Sequence, residues 1–90
     1  MAVRFRPTSL RHGISHERAT YVIEHCPQPL YSDDLREEDL VVFLGPDASG
    51  VPLEVVAVEL SDGDLLVIHA MRLRQKYRRA YRQVMRWRER

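Results

Sequence analysis

Three segments rich in β-branched and aliphatic residues follow one another in the middle of the chain, at residues 40–44, 53–60 and 65–70. Strong turn signals separate them, at residues 45–50 and 61–64. Neither connection is long enough for the crossover helix that neighbouring parallel strands require. The pattern therefore predicts an antiparallel β-meander, and residues 29–31 add a short fourth candidate strand.

Two helical segments are predicted before this sheet. Residues 7–12 can form a single helical turn, because proline is favoured in a first turn and Gly13 provides a stop. Ser15 is a good N-cap, and the helix that it starts should run from residue 16 to about residue 25. Residues 31–39 are acidic and irregular, which is typical of a loop.

The last segment, residues 72–90, contains no glycine or proline and is predicted to be a helix. At 100° per residue its apolar side chains fall in one sector, which predicts docking on the sheet. That sector holds Leu73, Tyr77, Ala80, Tyr81, Val84 and Trp87, and the opposite sector holds Arg78, Arg79, Arg82, Arg86 and Arg90.

These elements predict one α+β domain spanning residues 1–90, with a small antiparallel sheet of three to four strands, N-terminal helices and a basic amphipathic C-terminal helix. No apolar run approaches the roughly 20 residues of a membrane-spanning helix, and no signal peptide is evident. Cys26 is the only cysteine, and no zinc-binding spacing is present. We expect a cytoplasmic protein without a membrane partner, a metal or another cofactor.

The positive charge is concentrated at one end of the chain. Residues 72–90 carry nine Arg or Lys and one acid, whereas residues 1–71 carry five Arg and twelve acids. Arginines spaced four apart on a helix repel each other, so something outside the helix should offset them. Three explanations are open: a solvated face partly neutralised by the acidic residues 33–39, an acidic protein partner, or RNA phosphates held by Arg78, Arg79, Arg82 and Arg86.

The order of the motifs resembles the BrnT-like toxins of the RelE superfamily. The resemblance rests on Arg11-His12-Gly13-Ile14-Ser15 before a helix, on Leu44-Gly45, Gly50 and Leu53 around the sheet turn, and on Val67-Ile68-His69-Ala70 before an arginine-rich segment. Residues 45–50, 53–56 and 68–72 look more narrowly like an uncharacterised actinobacterial branch of short proteins. The resemblance implies a RelE-like fold and the toxin of a type II toxin–antitoxin system that cleaves RNA. It also implies a cognate antitoxin, ribbon-helix-helix-like, and assembly as a homodimer or a toxin–antitoxin hetero-oligomer.

RNA cleavage needs a base for the 2′-hydroxyl, an acid for the leaving 5′-oxygen and cations for the transition state. If residues 61–64 form the hairpin loop, Val56 pairs with His69, and Glu54 lies diagonally opposite that histidine on the same face. This edge of the sheet and the N-terminal part of the chain supply the candidate catalytic residues of a metal-independent endoribonuclease. They are His69, Glu54, Arg72, Arg74, Lys76 and His12.

Simpler interpretations of the same residues are also open. His69 can be a core histidine hydrogen-bonded within the fold, and Glu54 can pair with an arginine of the C-terminal segment and hold it to the sheet. His12 can be a surface residue at the end of a helical turn. The alternative function is a non-catalytic nucleic-acid-binding or protein-interaction module that uses only the arginine-rich helix.

Overall fold

A computed structural model describes residues 2–31 and 40–88, with the side chain of Leu10 left out. Residues 32–39 of the predicted acidic loop lie outside the described residues, and so do Arg90 and the charge compensation proposed for residues 33–39. The strands are β1 (Val3–Phe5), β2 (Leu30–Tyr31), β3 (Leu40–Pro46), β4 (Pro52–Glu59) and β5 (Leu65–Arg72). The helices are α1 (His16–His25) and α2 (Arg78–Arg88), and 3-10 turns cover Pro7–Leu10 and Gln75–Tyr77.

The α+β class is confirmed, but the strand count and the purely antiparallel sheet were wrong. The described residues form one mixed sheet of five strands in the order β1-β5-β4-β3-β2. The meander of β3, β4 and β5 is present as predicted, and β2 pairs antiparallel with β3. The unpredicted strand is β1, which is parallel to β5 with Val3 opposite Leu65. Three residues are too few to show an alternating pattern, so β1 left no signal in the sequence.

Helix α1 follows its sequence signals closely. The Ser15 hydroxyl accepts a hydrogen bond from the Arg18 backbone N–H at 3.2 Å, and this caps the helix. Gly13 precedes it with a φ of 76°, a conformation that glycine adopts without a steric penalty. Ala19, Val22 and Ile23 are buried, as the apolar stripe predicted.

The sheet is covered differently on its two faces. Helix α1 packs on β3 and β4, where alternate side chains such as Val41, Phe43, Leu53 and Val55 form the main core. Leu40, Val42 and Leu44 are also buried but point to the opposite face, because successive residues of a strand alternate. Helix α2 contacts β3 and buries Val84, so it covers this second face.

The C-terminal segment is not one continuous helix from residue 72. Strand β5 continues to Arg72, which pairs with Leu53, and the Leu73 N–H donates to the Pro52 carbonyl. Pairing with β4 thus extends the strand beyond the predicted end, and α2 begins only at Arg78. Trp87, predicted to dock inward, is 53% exposed. Within residues 2–31 and 40–88, neither helix combines the length and the apolar character needed to cross a lipid bilayer.

Candidate functional site

A β-bulge in β5 decides which face of the sheet carries His69. Ala57 pairs with Val67 and Val56 pairs with His69, so Ile68 is an extra residue without a partner in the β4–β5 register. Without this bulge, His69 would share a face with Val67 and point into the α1 core. With it, His69 turns to the face that carries Glu54 and α2.

Glu54 is the centre of the site and is fully buried, with an exposure of 0%. Its Oε1 accepts a hydrogen bond from the Arg74 backbone N–H at 2.8 Å. Its Oε2 accepts hydrogen bonds from Nε and Nη2 of Arg74 at 2.9 and 2.6 Å. Burial alone would raise the pKa of this carboxyl. The hydrogen bonds and the positive charge of Arg74 outweigh burial, so the pKa of Glu54 lies below its usual value and the group is ionised.

His69 lies against the same carboxylate, with Nε2 at 3.3 Å from Oε2 of Glu54. An ionised carboxylate can only accept, so Nε2 must carry the proton and donate it to Glu54. Burial lowers the pKa of His69 below 6.5, although the hydrogen bond and charge of Glu54 act in the opposite direction. In the neutral ring the lone pair therefore lies on Nδ1, and the side chain of His69 is 25% exposed.

A second histidine stands beside the first. The rings of His12 and His69 meet edge to face, with centroids 5.5 Å apart. His12 is exposed and follows the 3-10 turn that packs against β5, whereas His69 comes from β5 itself. Two imidazoles from distant parts of the sequence are thus in contact, one on an exposed residue and one on a partly exposed side chain.

The three remaining candidate residues lie in different surroundings. Arg74 is the ion-pair partner of Glu54, so one side of its guanidinium is engaged, and 41% of the side chain is exposed. Arg72 pairs with Leu53 and points to the α1 face, away from His69. The Lys76 ammonium lies 5.1 Å from the centroid of the Tyr77 ring. The structure therefore groups Glu54, His69, His12 and Arg74 and separates Arg72 from them.

The four RNA-binding candidates are exposed on α2. Arg79, Arg82 and Arg86 line one cleft of about 330 Å³ together with Gln83. Arg78 and Arg82 line a second cleft with Leu73, which immediately precedes Arg74. No carboxylate among residues 2–31 and 40–88 lies within ion-pair distance of these arginines. The basic surface of α2 therefore begins next to the segment that Glu54 holds, on the same face of the sheet.

Asp47 is a buried polar residue that sequence reasoning left unused. Its Oδ1 accepts the backbone N–H groups of Ser49 and Val51, both at 2.9 Å, and its Oδ2 accepts Nε of Arg18 at 2.8 Å. The hydrogen bond from Val51 is the main reason that the pKa of Asp47 lies below its usual value. An aspartate after Gly45-Pro46 in a turn is a signal for such an arrangement, which here ties α1 to the β3–β4 hairpin.

No group of three or more His, Cys, Asp or Glu side chains within the described ranges has a geometry that could hold a metal ion. Comparison of the chain with protein-family models, with curated proteins and with solved structures found no match. What can be assigned to the site therefore depends on its geometry, which is that of a paired-histidine site beside an arginine-rich helix.

Proposed function

We propose that this protein is an endoribonuclease that cleaves RNA without a metal ion, and that it acts as the toxin of a type II toxin–antitoxin system. The observation that carries the catalytic part is the contact between His12 and His69 above a buried, ionised Glu54. The toxin assignment is supported by the resemblance of the motifs to BrnT-like proteins. The two parts are independent and can be tested separately.

In the proposed reaction, Nδ1 of His69 accepts the proton of a ribose 2′-hydroxyl. The 2′-oxygen then attacks the adjacent phosphorus, the bond from phosphorus to the 5′-oxygen breaks, and a 2′,3′-cyclic phosphate forms. His12 in its protonated form gives a proton to the leaving 5′-oxygen, so charge and atoms balance. Arg74, with its guanidinium partly exposed, is placed to stabilise the negative charge of the transition state.

Glu54 acts through His69 rather than on the substrate, because its carboxylate is buried. By accepting the Nε2 proton it selects the tautomer whose Nδ1 can act as a base, and it also holds Arg74 in position. Glu54 is therefore a positioning residue. The simpler interpretation of Glu54, an anchor for the C-terminal segment, is compatible with this second role.

The exposed arginines of α2 supply the RNA-binding surface in this account. Guanidinium groups match phosphate oxygens in a two-point geometry, and each neutralised phosphate releases counterions. Arg79, Arg82 and Arg86 share one cleft, so neighbouring phosphates of one strand can be bound together. The alternative function, a nucleic-acid-binding module without catalysis, depends on these arginines alone and needs neither histidine.

The product of the reaction provides the test. Purified protein is incubated with a single-stranded RNA in buffer containing a chelator, and the ends of the fragments are identified by mass spectrometry. We expect fragments with 2′,3′-cyclic phosphate ends, and no cleavage of the same strand made with 2′-deoxyribose. Intact RNA with folded protein that still binds it would contradict catalysis and favour the binding module. Growth arrest on expression separately tests the toxin assignment, and relief of that arrest by His69→Ala would tie it to cleavage.

A further inference from the structure

The cleft lined by Arg79, Arg82 and Arg86 is called the arginine cleft below. A separate cavity adjoins it and differs from it in chemistry. It has a volume of about 380 Å³ and is formed between α2 and the segment that leads into β2. Its walls include Gln28, Leu30, Gln83, Val84, Arg86 and Trp87. Gln83 and Arg86 also line the arginine cleft, so the two cavities share a wall.

We propose that this separate cavity, called the base pocket, binds one unstacked base of single-stranded RNA while the arginine cleft holds an adjacent phosphate. The inference rests on the proposed RNA-binding function and names the form of RNA that the surface selects. It adds a binding site that includes Trp87 and Gln28, which the catalytic account does not use.

The chemistry of the walls fits a nucleobase. Trp87 lines the pocket and is 53% exposed, and bases of any sequence stack on an indole ring. Leu30 and Val84 supply apolar contacts, while the amides of Gln28 and Gln83 each carry both donors and acceptors for a base edge. The volume also falls in the range of about 300–1,000 Å³ that is usual for small-molecule sites.

The neighbouring charge decides which occupant fits best. Arg79, Arg82 and Arg86 make the adjoining cleft strongly cationic, and no carboxylate of the described ranges pairs with them. An apolar, amide-lined pocket joined to a cationic cleft matches a nucleotide, which joins a flat base to a phosphate. A base in a duplex is already stacked and paired, so the pocket should accept only single strands.

Trp87 is the only tryptophan in the chain, so its fluorescence reports on the pocket directly. The probe is a short 2′-O-methyl oligouridylate, which cannot be cleaved because its 2′-oxygen is blocked. We expect saturable quenching of Trp87 by this strand. An abasic strand with the same phosphates and a duplex of equal charge should bind without quenching.

Affinity measured by a labelled strand tests the contribution of the indole. Trp87→Ala should weaken binding about 5- to 150-fold, the range expected for one stacked base, and Trp87→Phe should restore most of it. Gln28→Ala should weaken binding less. Tyr31→Ala is the matched control, because Tyr31 is an exposed aromatic residue that does not line the pocket. Circular dichroism of each variant checks folding, and Gln28→Ala changes no residue of α2.

Each outcome has one meaning. Binding without quenching, or equal affinity of wild type and Trp87→Ala, would overturn the base pocket and leave RNA cleavage intact. Quenching that depends on protein concentration in the absence of RNA would assign the cavity to a contact between copies of the chain and overturn the base pocket. Failure of wild type to bind any strand would overturn both the base pocket and the proposed function. Binding with quenching but no cleavage of an unmodified strand would support the base pocket and contradict only the catalysis.

Discussion

Glu54 and Arg74 are joined by three hydrogen bonds, two from the guanidinium and one from the backbone N–H, so a buried carboxylate on β4 fixes the chain just after β5. The same carboxylate receives the Nε2 proton of His69. One residue therefore connects the stability of the C-terminal segment with the orientation of the candidate base.

Removing the guanidinium should destabilise the fold strongly. Arg74→Ala leaves the Glu54 carboxylate buried without a counter-charge, which we expect to lower the free energy of unfolding by roughly 3 kcal/mol, the lower end for a broken buried pair because Arg74 is partly exposed. Urea denaturation at pH 7 measures the change. Arg72→Ala removes an exposed arginine of the same segment and should change the free energy by less than about 0.5 kcal/mol.

The effect of Arg74 on stability should also depend on pH. The pKa of Glu54 in the folded protein lies below the usual 4.5, so the pair stabilises the fold above that pH and loses its effect as the pH falls through the folded pKa. The difference between wild type and Arg74→Ala should therefore shrink on acidification. An equal difference at pH 7 and at acid pH would contradict the ionised pair.

The titration of His69 tests its link with Glu54. Nuclear magnetic resonance of the imidazole ring should give His69 a pKa below 6.5, because burial disfavours the charged ring. Glu54→Gln removes the negative charge that raises this pKa, so the pKa should fall further. Glu59→Gln, which changes an exposed carboxylate on the same strand, should leave the titration of His69 unchanged.

The rate of RNA cleavage should fall as the pH falls through the pKa of His69, because only the neutral ring can accept the 2′-hydroxyl proton. The acid limb of the rate profile should therefore lie below pH 6.5 and move to lower pH in a folded Glu54→Gln protein. A limb that stays in place in that variant would exclude His69 as the titrating base.

The contribution of the exposed α2 arginines to RNA binding should be measurable from the salt dependence of the affinity. Changing Arg78, Arg82 and Arg86 together to Gln removes three cations, and the slope of log affinity against log salt should become less steep by about 2 for a single strand. The free energy of unfolding should not fall through lost ion pairs, since none forms with carboxylates of the described ranges. An unchanged slope would place the RNA elsewhere.

Asp47 should be a structural residue rather than a functional one. Asp47→Ala leaves the N–H groups of Ser49 and Val51 without their acceptor and frees Arg18, so it should lower the Tm while cleavage by the folded fraction is retained. Asp62→Ala serves as the control, because Asp62 accepts one turn N–H at an exposed position. A Tm change no larger than that of the control would contradict the structural role.

The sequence predicts elements well where local signals are strong. Ser15 was correctly predicted as the N-cap that starts α1, and the pairing of Val56 with His69 was correct. The predicted register between the hairpin loop and His69 was wrong, however, because it placed the side chains of Val67 and His69 on one face of the sheet. The bulge at Ile68 shifts the β4–β5 pairing by one residue between the hairpin loop and His69, and no residue type in the sequence indicates this bulge.

The remaining errors have a common physical origin, since they concern contacts between distant parts of the chain. Strand β1 forms only because β5 offers a free edge, and β5 extends to Arg72 only because β4 continues opposite it. The Glu54–Arg74 hydrogen bonds likewise need the extended segment before α2. Helical periodicity in residues 72–90 could not reveal any of these competing contacts.

The most direct test of the proposed function measures RNA cleavage and RNA binding in the same preparations. His12→Ala and His69→Ala should each lower the rate of cleavage at least about 100-fold, the usual scale for a lost proton-transfer group, while RNA affinity stays close to wild type. His25→Ala, a histidine on α1 bonded to the Tyr21 carbonyl, should cleave normally. Cleavage that persists in both His12→Ala and His69→Ala would contradict the paired-histidine mechanism.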